Sequence, residues 1–91
     1  MRKTKHITID GRVQGVGMRW TVDRVANKFK VTGYVRNLYN GMVEIVAQGE
    51  EDEINTFLEY IKQNAPGRIG KMIVTELTST TEYDKFKVKY F

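Results

Sequence analysis

The sequence predicts an α+β sandwich, and three observations predict it. Apolar and polar residues alternate near both ends of the chain, two internal stretches switch to helical spacing, and an Asn-Gly dipeptide joins two strand-like runs between them. The resulting order is β-α-β-β-α-β with one extra strand in the C-terminal region, which predicts an antiparallel sheet with two helices on one face. This is the ferredoxin-like split βαβ pattern. Many unrelated functions use it, so it assigns none by itself.

Each element has its own signal. Ile7, Ile9 and Val13 fall at odd positions between polar residues, the period of a half-buried strand. Met18, Val22, Val25, Ala26 and Phe29 then recur at helical spacing, so a helix is expected from about Arg19 to Lys30. Thr32 to Leu38 and Met42 to Gln48 are strand-like runs joined through Asn40-Gly41. A two-residue primed turn there requires positive φ at both central residues. Gly49 is expected to end the third strand. Glu50, Glu51, Asp52 and Glu53 then suit the first turn of a second helix, whose unpaired N–H groups favour acidic neighbours. Ile54, Phe57, Leu58 and Ile61 form its apolar stripe, and Pro66-Gly67 terminates it. Met72 to Leu77 reads as a further strand. In the tail Phe86, Val88 and Tyr90 are expected inward, and Lys85, Lys87 and Lys89 outward, solubilising a strand face or protecting an edge.

Length and composition narrow the class. The 91 residues suffice for one domain, taken as residues 1–91 with no accompanying domain. No apolar run approaches the roughly 18 to 20 residues of a membrane span, and the basic N-terminus is not followed by the apolar stretch of a signal peptide. There is no cysteine and one histidine, His6. Disulfides, thiolate nucleophiles and sulfur-held metals are therefore excluded, and no metal site or cofactor is expected. The expectation is a cytoplasmic protein and a monomer. The net charge of +4 favours an anionic partner without choosing one.

The most informative segment is Gly11-Arg12-Val13-Gln14-Gly15-Val16-Gly17-Met18-Arg19, between the first strand and first helix. Its glycines allow left-handed backbone, so successive N–H groups can converge on one point. The loop feeds a helix N-terminus, which attracts anions, and Arg19 adds a planar fork of donors suited to phosphate oxygens. An arginine at a helix N-terminus opposes the helix dipole unless an anion sits there. The segment carries neither the GxGxxG spacing nor a Gly-Lys-Ser/Thr ending, so it is not a nucleotide fingerprint. Without an anion it is a tight strand-to-helix turn.

The run GRVQGVGMR is similar to the acylphosphatase signature, a GRVQGVGFR-like loop that supplies backbone amides and an arginine. Gly33-Tyr34-Val35-Arg36-Asn37, followed by Asn40-Gly41-Met42-Val43-Glu44, resembles that family's second motif. The resemblance covers the whole chain. It implies metal-independent hydrolysis of the carboxyl–phosphate bond of a small acyl phosphate, with inorganic phosphate as product and competitive inhibitor. It also implies that Gln14, Gly15, Val16, Gly17, Met18 and Arg19 bind the phosphoryl group, that Arg19 is catalytic, and that Asn37 orients the attacking water. Met18 stands where the family usually has phenylalanine, and Tyr34 where it usually has tryptophan. Altered packing under the loop is expected from both, with the chemistry retained and a looser cradle from the more pliable methionine.

Other residues are expected to be structural. Arg36 alternates to the opposite sheet face from Asn37, so the two cannot aim at one site. Arg12 reads as a solvated charge, His6 as a residue of the first strand's polar face, and Trp20 as packing at the helix start. RNA-recognition modules share the element order but read bases with aromatics on central strands, and Met42 to Gln48 has none, so no nucleic acid and no membrane partner is expected. A non-catalytic regulatory domain and a carbamoyl-phosphate module of larger hydrogenase-maturation proteins are the other readings of the same pattern.

Overall fold

A computed structural model describes residues 1–78 and 81–90. The elements follow the expected order: β1 (Arg2–Arg12), α1 (Met18–Lys28), β2 (Thr32–Asn37), β3 (Val43–Glu50), α2 (Glu51–Asn64), β4 (Arg68–Leu77) and β5 (Phe86–Lys89). They form one five-stranded sheet in the order β4-β1-β3-β2-β5. Among the described residues no helix is long and apolar enough to cross a membrane.

The sheet is mixed, which corrects the expected antiparallel one. β1 pairs antiparallel with β3 and β4, and β2 antiparallel with β3, but β5 lies parallel to β2. The direction follows from the route. Residues 81–83 lie across the helix-free face, where Tyr83 N donates to Gln48 Oε1 (2.9 Å) and Gln48 Nε2 donates to Thr81 O (2.8 Å). Gln48 is buried on central strand β3 and satisfies its amide on this crossing segment, on Thr4 and on Arg2. β5 thus runs opposite to β4, and β4 runs opposite to β2.

Both helices cover one face. Met18, Val22, Val25 and Ala26 of α1 and Ile54, Phe57, Leu58 and Ile61 of α2 meet Ile7, Ile9, Val35, Val43, Ile45 and Ala47 of the sheet in one core. The helical stripes, and Ile7 and Ile9 of β1, are therefore buried on the helix side.

Several boundaries differ from expectation. β1 ends at Arg12, so Val13 is buried from the loop and not from the strand. β3 runs through Gly49 to Glu50 and passes directly into α2, because Gly49 can pack against the Lys30 carbonyl where a Cβ would sit 3.2 Å away. α1 stops at Lys28, and Lys30 takes a left-handed conformation (φ 55°) that lets Val31 N reach Ala26 O. The Asn40-Gly41 hairpin exists, but not as a primed turn. Gly41 has positive φ (90°) while Asn40 does not; Gly41 N donates to Leu38 O, and Leu38 N to Met42 O. Asn40 uses its side chain instead, accepting from Met42 N at 3.0 Å. The result is a three-residue loop with the glycine in the left-handed position.

Candidate active site

The segment between β1 and α1 forms a tight loop at one end of the sheet. Gly15 (φ 72°) and Gly17 (φ 84°) both have left-handed backbone, and a Cβ at either would meet nothing within 4 Å. Glycine is thus required by the backbone path and not by crowding. Gly17 is the N-cap of α1. That helix begins with no side-chain cap and no acidic residue in its first turn, whereas α2 begins with Glu51, Asp52 and Glu53. The unpaired N–H groups of α1 therefore face the loop without an internal anion.

A pocket of ≈190 Å³ opens there, lined by Gly15, Gly17, Met18 and Arg19 from the loop and α1, and by Asn37 from the end of β2. Val88 of β5 and Tyr90 just beyond it also line the pocket, as does the exposed Trp20. Asn37 reaches this side because it shares the face of inward-pointing Val35, opposite Val43 on β3. Arg19 lies along the wall. Its guanidinium carbon is 4.8 Å from the centre of the Tyr90 ring, and its Nη1 is 3.5 Å from Lys89 O, a long hydrogen bond.

The predicted residues divide by what their side chains do. Gly15, Gly17, Met18, Arg19 and Asn37 line the pocket. Met18 is buried beneath the loop, in the position anticipated for it. Val16 packs on the core and lies beside Gly67, where an added Cβ would approach its Cγ2 to 2.9 Å. Gln14 turns its side chain away, donating from Nε2 to Leu38 O (2.6 Å) and Met42 O (2.8 Å). This bridge joins the glycine loop to the hairpin that carries Asn37. Nothing in residue spacing showed it; a long amide among glycines was the one available hint.

Three expectations are corrected by position. Tyr34 does not pack under the loop: it sits on the helix-free face, edge-on to Tyr83 with ring centres 6.2 Å apart and Lys89 Nζ 4.1 Å from its own. Trp20 is 62% exposed and does not pack at the helix start. Tyr90 is 76% exposed, because β5 ends at Lys89 and the alternation ends with it. Lys85, Lys87 and Lys89 do lie exposed along the edge of the sheet formed by β5.

A second charged cluster occupies the opposite, helix-free face. Arg36 Nε donates to Glu44 Oε1, and His6 Nε2 lies 2.9 Å from Glu44 Oε2. Arg36 is therefore ion-paired rather than simply a surface charge. Burial pushes the Glu44 carboxyl up, but hydrogen bonds and charge from Arg36 and His6 outweigh it and hold the carboxyl below its usual range. Burial first, and then the Glu44 charge, raise the Tyr34 phenol. This cluster braces β1, β3 and β2 on the face away from the pocket.

Residues 5–88 match the Acylphosphatase family. The chain is 40% identical over 85 residues to an acylphosphatase of Bacillus subtilis, covering 92% of this chain and 93% of that protein. It is 38% identical over 91 residues to one of Syntrophus aciditrophicus, covering 99% and 95%. The crystal structure of acylphosphatase from Bacillus subtilis superposes with a TM-score of 0.91 at 38% identity, covering 99% of this chain and 100% of that one.

Proposed function

This chain belongs to the acylphosphatase family, and from that premise we propose how its own residues carry the reaction. The activity is that of an acylphosphatase, hydrolysis of small acyl phosphates. The observation that supports the assignment of roles is that Asn37, at the end of β2, lines one pocket with the glycine loop and Arg19 that precede it in the chain.

In this reading the phosphoryl group occupies the loop, with its equatorial oxygens on Arg19 and on backbone N–H groups between Gln14 and Arg19. Phosphoryl transfer depends chiefly on positioning and charge stabilisation along an in-line path. The leaving group is a carboxylate whose conjugate acid has a pKa of about 4, so it departs without a general acid. Asn37 offers both a donor and an acceptor, which fixes the orientation of a neutral water. An amide is no base, so the water's proton passes to the phosphate or to solvent. Arg19 leaves the Tyr90 ring and the long bond to Lys89 O for the phosphoryl oxygens, a stronger, charge-assisted pairing. The enzyme is read as a cytoplasmic monomer that needs no metal and is inhibited competitively by the phosphate it releases.

The test is hydrolysis of benzoyl phosphate in excess EDTA. Arg19→Ala is expected to lose measurable turnover together with inhibition by phosphate. Asn37→Ala is expected to lower kcat by about 10²- to 10³-fold while the inhibition constant for phosphate stays nearly unchanged. Wild-type kcat in Asn37→Ala would remove that residue from its role.

A further inference from the structure

The edge of the pocket carries an aromatic ring that neither the core nor the chemistry above uses. Trp20 directly follows Arg19 on α1, lines the same pocket, and is 62% exposed. Leaving most of an indole in water forgoes on the order of 2 kcal/mol of burial, and a helix surface position can take any good helix former at no such loss. The ring is also held. The guanidinium carbon of Arg24, one turn further along α1, lies 4.5 Å from its centre. A braced aromatic surface at the rim of a phosphate pocket is suited to stacking against whatever the phosphate is attached to.

In-line displacement decides which rim residues can meet that group. The attacking water and the departing carboxylate lie on opposite sides of phosphorus. Asn37 and the exposed Tyr39 belong to the β2–β3 hairpin, on the water side. The acyl group therefore faces the part of the pocket away from Asn37, and Trp20 is among the residues outside the hairpin that line it. Resting on the acylphosphatase reading, we infer that Trp20 is the platform for the acyl group, and that in this enzyme its ring is what favours aromatic or extended apolar acyl groups over acetyl. Arg24 is a positioning residue that keeps the indole face presented.

The measurement is kcat/KM for benzoyl phosphate and for acetyl phosphate in the wild type, Trp20→Ala and Trp20→Phe, with the inhibition constant for inorganic phosphate as a third readout. Taking each variant's change relative to wild type removes the intrinsic difference in substrate reactivity. Trp20→Ala is expected to lower the benzoyl phosphate value about tenfold, mostly through KM, and the acetyl phosphate value by twofold or less. Phosphate inhibition should be unaltered, and Trp20→Phe should keep most of the benzoyl phosphate value. An equal fall on both substrates, or an unchanged benzoyl phosphate value in folded Trp20→Ala, would overturn the inference while leaving the reaction assignment standing. A wild type that hydrolyses neither substrate removes the reaction assignment, and this inference with it.

Discussion

Gln14→Ala should damage both stability and turnover, and the structure bounds each effect. The Gln14 amide is the direct side-chain link between the glycine loop and the hairpin, donating to Leu38 O at 2.6 Å and to Met42 O at 2.8 Å. Both carbonyls have a second donor: Gly41 N on Leu38 O and Leu38 N on Met42 O. Neither is orphaned when the glutamine is truncated, so the loss stays near the net value of two hydrogen bonds, about 1–2 kcal/mol. Turnover responds through geometry. Asn37 stands one residue before Leu38, and in the proposed mechanism the loop carries the phosphoryl group, so there the bridge sets the distance from water to phosphorus. A displacement on the order of 1 Å at a reacting centre can cost about 10²-fold in rate.

The assay pairs urea unfolding with kcat on benzoyl phosphate and with phosphate inhibition. Gln14→Ala is expected to unfold at lower urea, lose about 10-fold or more in kcat, and retain most of its affinity for phosphate. Gln14→Glu makes the comparison sharper. It keeps the shape but sets a carboxylate against two carbonyl oxygens, so it should be worse than alanine on both counts. A Gln14→Glu protein as stable and active as the alanine variant would show that the two hydrogen bonds do not hold the loop to the hairpin.

Two further predictions test the backbone and the charges. Gly17→Ala should be destabilised by about 1–2 kcal/mol, because its added Cβ meets only the conformational penalty of a left-handed residue; Gly33→Ala should lose more, since its Cβ would fall 1.9 Å from Val46 O. Thermal unfolding of the pair checks the order, and equal losses would contradict the unobstructed loop. Glu44 has its folded pKa depressed below the ordinary 4.5, so its contribution is complete above that pH and disappears as pH falls through the folded value. Glu44→Gln should therefore flatten the acid decline in unfolding free energy below about pH 4.5, and an unchanged acid limb would refute the role given to the Arg36–Glu44–His6 cluster.

What the sequence made legible, and what it hid, divides along a physical line. Period and turn chemistry are local, and they placed both helices, the core face of β1, and the loop glycines Gly15 and Gly17 whose φ values are left-handed. Asn37 was placed by alternation and by the resemblance together, and it does share the face of Val35. The direction of β5 was not legible, because strand alternation is the same for parallel and antiparallel neighbours; only the route across Gln48 determines it. The turn at Asn40-Gly41 was misassigned because Asn40 could satisfy Met42 N through its side chain and so had no need of positive φ.

The rim of the pocket was hidden for a related reason. Trp20 was expected to pack at the helix start, and Tyr90 to face inward by strand alternation. Met18, Val22, Val25 and Ala26 already supply the inward stripe of α1, which leaves residue 20 pointing elsewhere, and β5 ends one residue before Tyr90. Each ring instead meets a cation of α1: Arg24 for Trp20, and Arg19 for Tyr90. The two pairs act in opposite senses. In the proposed mechanism Arg24 holds an aromatic ring in place for a substrate, whereas Tyr90 holds the cation that moves to the phosphoryl group. Exposed aromatics that contradict a burial pattern, each stacked on an arginine of α1, are therefore the rings that the proposed mechanism gives to binding rather than to the core.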